Sequence, residues 1–90
     1  MTISAAALYR LKSDARRGLL ENDLILERFF RRYADGLTEE QGAVLAQLLA
    51  LSDNDLMDLL IGRVDSVVAL GDVCSTPTFL ALLGCLREKQ

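Results

Sequence analysis

The chain has 90 residues, 51% hydrophobic and 26% charged, with no histidine, no tryptophan and a formal charge of −3. That length carries one core rather than two, and that balance excludes a disordered chain. The missing histidine removes the commonest general base, the commonest zinc ligand and every nucleophile activated by an imidazole.

Charge is unevenly spread. Residues 1–33 hold seven Lys/Arg against four acids, and residues 34–90 hold three against nine. A basic end beside an acidic end points to a directional protein contact rather than to a nucleic-acid footprint. No apolar run approaches the ~20 residues of a membrane span, and no basic segment followed by a long apolar core opens the chain. The expectation is a cytoplasmic protein with no membrane insertion. Cys74 and Cys85 match neither a metal pair nor a disulfide framework and read as small core residues. Abundant Leu and Ala with few β-formers predict an all-α fold in a single domain, 1–90.

In chain order, Ser4 caps a first helix that runs to Arg17, with Leu8, Leu11 and Ala15 inward. A second helix runs from Asn22 or Asp23 to Tyr33 or Ala34. Its stripe is Leu26, Phe29, Phe30 and Tyr33, with Arg28, Arg31 and Arg32 opposite and Glu27–Arg31 spaced as an ion pair. Asp35-Gly36 breaks it. Thr38 and Gln41 form a capping box for a third helix to about Ala50, which buries Val44, Leu45, Leu48 and Leu49. Gly42 inside it admits a close neighbour. Ser52 caps a fourth helix with Leu56, Leu59 and Leu60 inward, ended by Gly62. Arg63 to Ser75 reads as either a short helical turn or an extended segment. Thr76-Pro77 restarts a fifth helix with Phe79, Leu82, Leu83 and Leu86 inward, ending in a charged tail, Arg87-Glu88-Lys89. Short linkers predict a compact bundle of about five helices.

The run from Ala15 to Asp23 departs from this regularity, with paired arginines, a glycine and two acids between two helices. One reading is purely structural: Arg16 and Arg17 favour the end of one helix, Gly18 caps it, and Glu21 and Asp23 favour the start of the next. The other is a charged corner presenting Arg17, the Gly18 backbone and Glu21 to a partner. Arg10, two turns before Arg17, either extends that surface or is a solvated flank. Glu21 and Asp23 beside arginines stay ionised, which disfavours a catalytic carboxylate pair. No phosphate-cradling glycine loop, calcium loop or basic recognition helix appears.

Arg17-Gly18-x-x-Glu21, followed by Asp23 and Phe29-Phe30, resembles the RGxxE signature of the succinate dehydrogenase assembly factor 2 family, the bacterial SdhE group. The likeness runs ungapped from about Arg10 to about Leu60. It implies a non-catalytic chaperone that binds the flavoprotein subunit of succinate dehydrogenase, with fumarate reductase as a second candidate client. Covalent FAD attachment is promoted there, the subunit's own histidine attacking the flavin. By that resemblance the partner-binding residues are Arg10, Arg16, Arg17, Gly18, Glu21 and Asp23. No catalytic, cofactor or metal site is implied, and a monomer is expected. Some family members are also called CptB-type antitoxins, which leaves an antitoxin or a general interaction bundle as the alternative.

Overall fold

The computed structural model describes residues 2–16 and 20–88. Five α-helices, α1 (Ala5–Asp14), α2 (Leu20–Tyr33), α3 (Glu39–Leu49), α4 (Asp53–Leu60) and α5 (Pro77–Leu86), are joined by 3-10 turns at Ala34–Gly36 and Val68–Ser75. The all-α bundle expected from the periodicities is what forms, and no strand occurs among the described residues.

Local chemistry sets most helix starts. The Ser4, Ser52 and Thr76 hydroxyls accept the backbone N–H of Ala7, Asp55 and Phe79. Thr38 and Gln41 close a reciprocal box at 3.1 and 3.0 Å. Each cap satisfies a helix-end donor that has no partner within its own helix.

The apolar stripes then meet in one core. Leu11 and Ala15, Leu26, Phe29 and Phe30, all four α3 positions, all three of α4 and all four of α5 are buried. Leu8 and Tyr33 are only half-buried, at the core margin. The two cysteines are also half-buried rather than fully interior. Helix α5 touches α2, α3 and α4, while α1 lies against α3 and α2 against α4.

The N-terminal segment is strapped over the start of α3. Thr2 pairs with Thr38 in an antiparallel bridge, and the Ile3 N–H donates to the Leu37 carbonyl at 3.0 Å. Gly42 makes this possible, because a Cβ there would stand 3.0 Å from the Ile3 Cγ2.

Two boundaries differ from expectation. Helix α1 ends at Asp14, not Arg17. Ala15 turns into the core and the Arg16 N–H closes back on the Ser13 carbonyl, a tightened last turn that leaves only Lys12 as a basic last-turn residue. Helix α2 begins earlier, at Leu20, so Asn22 lies inside it. Between α4 and α5, where the sequence left a short helical turn and an extended segment open, Val68–Ser75 is a 3-10 stretch kinked at Gly71, and Val64, Val67, Leu70 and Val73 lean on the core.

The expected charged tail is a clamp instead. The Arg87 guanidinium donates to the Leu59 carbonyl at 2.8 Å, the Val64 carbonyl at 2.7 Å and the Asp65 carboxylate at 3.1 Å. These carbonyls end α4 and the turn after it, where Gly62 takes φ +84°. Glu88 accepts from Arg32 at 2.9 Å and from the Tyr33 hydroxyl at 2.5 Å, tying α5 to the end of α2. The phenol of Tyr33 is pushed up to about 12, first by its bond to Glu88, then by burial and by the neighbouring Cys85. Lys89 lies outside the described residues.

Two outcomes follow from the clamp. Arg87→Ala strips donors from two helix-end carbonyls and should cost about 2 kcal/mol, whereas Arg31→Ala, which breaks an exposed pair, should cost ~0.5 kcal/mol or less. Chemical denaturation checks both. Because the folded pKa of Tyr33 is raised, its contribution to stability is complete below the ordinary tyrosine value and is lost as pH rises through about 12. A phenolate absorbance titration should therefore show one tyrosine ionising at about 12, and Glu88→Gln should lower that midpoint.

Candidate functional site

The α1–α2 corner joins the most basic part of the chain to the N-terminal, positive end of α2. Arg10 is exposed on α1 and pairs with Asp14 at 3.3 Å, one turn on. Arg16 is exposed just past α1. Glu21 is exposed and Asp23 half-buried in the first turn of α2, where carboxylates complement the helix dipole. Arg17 and Gly18 lie outside the described residues.

Of the four described residues singled out from sequence, only Arg16 and Asp23 come together. They line an open groove of 580 Å³ between α1 and α2, with Lys12 and Ala15 from α1 and Leu26, Glu27, Phe30 and Arg31 from α2. Arg10 faces a different groove, of 460 Å³, with Asp14, Ile3 and Ala7 on one side and Glu39, Gly42, Ala43 and Ala46 of α3 on the other. Glu21 lines neither.

Sequence reasoning missed two features. Arg31 was read as the outer face of α2, yet it stands in the groove beside Arg16, held to Glu27 at 3.1 Å. Lys12, the other basic wall residue, was read as part of the charge balance only. Asn22 is the second feature. It is the buried polar side chain among the described residues, 0% exposed, and its Nδ2 donates to the Asp53 carbonyl at 3.3 Å. This bond ties the start of α2 to the start of α4. The Asn22 Oδ1 has no hydrogen-bond partner. The sequence reading placed Asn22 at the start of the second helix, and nothing in its local pattern signals burial.

Among the described residues the corner sets Lys and Arg cations beside carboxylates. No cluster of three potential metal ligands occurs among the described residues. What the arrangement offers is positive charge in a groove with an apolar floor, a combination suited to a surface of complementary charge.

Fold and site together define a small helical bundle with a charged corner between α1 and α2. Residues 9–76 match the family model Sdh5, described as flavinator of succinate dehydrogenase, and the chain belongs to that family. It is 54% identical over 74 residues to the FAD assembly factor SdhE of Ralstonia nicotianae, an alignment covering 82% of this chain and 77% of that protein. Proteins of the same name from Mannheimia succiniciproducens and Coxiella burnetii are 44% and 38% identical, over 60% and 61% of this chain and 63% and 67% of theirs. No solved structure matches the chain.

The Asn22 anchor yields a test of how the corner is held. Asn22→Asp replaces the donor with a carboxylate facing a carbonyl in a dry site, and should cost about 3 kcal/mol or more at neutral pH. Because burial disfavours the ionised form and raises the folded pKa, part of that loss should return as pH falls through the raised value towards the ordinary carboxylate range, read by denaturation at two pH values.

Proposed function

We propose that this protein is an assembly factor that binds the flavoprotein subunit of succinate dehydrogenase and promotes its covalent attachment to FAD. The family match over residues 9–76 carries the reading, because it includes Arg17-Gly18-x-x-Glu21 and the helices on either side of it. Fumarate reductase, whose flavoprotein presents the same task, is the second client.

The protein acts as a chaperone rather than a catalyst. With no histidine in the chain, the imidazole that bonds to the flavin has to come from the client. The chain's own contribution is to hold the client in a reactive arrangement, and orientation alone can supply several kcal/mol of a barrier. Arg17 and Arg16 supply planar donors suited to carboxylates, and Glu21 offers an acceptor on the same corner. The Gly18 backbone, without a Cβ, admits a close approach by the partner. The protein works as a cytoplasmic monomer.

The test is reconstitution of the client subunit with FAD, reading covalent-flavin fluorescence after denaturing electrophoresis. Arg17→Ala and Glu21→Ala should stay folded and abolish most of the flavinylation gained on adding the factor, a loss of about 2 kcal/mol or more in the contact. Arg63→Ala, in an exposed pair with Asp58 and lining neither groove, should match wild type. Equal yields from all three variants would reduce the corner to an ordinary helix boundary. The factor purified alone should carry no flavin.

A further inference from the structure

We infer that the α1–α2 groove is the docking channel for an acidic segment of the flavoprotein partner, one in which carboxylates flank a large apolar side chain. The inference rests on the function proposed above and adds the chemistry of the contact.

Charge is the first argument. Lys12 and Arg16 are exposed on one wall and make no ion pair or hydrogen bond through their side chains among the described residues. On the other wall Glu27 is committed to Arg31, and Asp23 is itself engaged. The acids of the groove are thus engaged, while its two cations have no counter-charge among the described residues, in a chain whose net charge is −3. A like excess is missing from the α1–α3 groove, where Arg10 is matched by Asp14 and Glu39 adds a negative charge.

Shape and polarity supply the second argument. Between the charged walls the floor is Ala15, Leu26 and Phe30, of which Phe30 at 7% exposed shows the most carbon, so a ligand entering between the cations meets apolar edges alongside polar groups. Leu24, 56% exposed, falls at the i−3 and i−7 positions of Glu27 and Arg31 on α2 and extends the apolar contact onto the rim. At 580 Å³ the groove is within the range of about 300–1,000 Å³ typical of sites that enclose a compact ligand. Carboxylates at the rim and an apolar side chain on the floor satisfy both features at once. Removal of water from the Lys12 and Arg16 heads on docking would strengthen the pairing.

The experiment uses the purified client subunit before flavin attachment, with binding read by titration at two salt concentrations. Lys12→Glu with Arg16→Glu should weaken binding on the order of tenfold or more and flatten its salt dependence, while Arg63→Glu should stay within about twofold. The milder pair Lys12→Ala with Arg16→Ala, with melting temperature measured alongside, serves if the reversed pair unfolds. A photo-crosslinking residue at Lys12 should capture a client segment with Asp or Glu beside an aromatic or large aliphatic residue. Wild-type binding that the substitutions leave unchanged would overturn the docking channel and leave the assembly-factor function standing. A captured segment without acids, or capture of a second copy of this chain, would also overturn it. Failure of the wild-type protein to bind the subunit would overturn both readings.

Discussion

Burial of α5 is the interaction on which the remaining helices depend. Phe79, Leu82, Leu83 and Leu86 are at most 4% exposed, and the helix that carries them contacts α2, α3 and α4. A chain of 90 residues has too little interior to stabilise helices independently, so a shared central partner has to serve several of them. Arg87 and Glu88 complete the arrangement at the end of α5. One saturates carbonyls at the end of α4 and the other holds the end of α2. The site sits on helices fixed in this way, α2 held at its C-terminal end by Glu88 and at its N-terminal end by Asn22.

That geometry gives the corner its character. A rigid α2 presents Asp23, Glu27 and Arg31 as one wall, and the tightened end of α1 presents Lys12 and Arg16 as the other. Interface precision of this kind comes from helices rather than loops, because helix side chains have fewer alternative positions. The charged residues spend little on stability, since the described pairs Arg10–Asp14 and Arg31–Glu27 are largely exposed. They remain available to a partner at small cost to the fold.

Much of the fold was legible because its signals are local. A hydroxyl three residues before its amide partner defines the starts at Ser4, Thr38, Ser52 and Thr76 without reference to anything distant. Helical spacing of Leu and Phe identified the buried faces for a similar reason. What sequence could not show depends on contacts far along the chain. Arg87 reads as a tail until α4 is placed beside it, and Asn22 reads as an ordinary helix-start residue until the Asp53 carbonyl arrives 31 residues away. The end of α1 is a tightened turn, the Arg16 N–H closing on the Ser13 carbonyl, and no pattern of spacing in the sequence marks it. For the site, residue types and their order named the corner, but only the packing of α1 beside α2 separated Arg10 from Arg16 and brought Arg31 in.

The central claim, that the α1–α2 corner is the surface through which this protein meets its client, is tested most directly by hydrogen exchange of the factor free and bound to the unflavinylated flavoprotein subunit. The account predicts slowed exchange concentrated in residues 12–31, with α4 and α5 little changed. Protection confined to α4, α5 or the segment between them, with the corner exchanging as in the free protein, would contradict it.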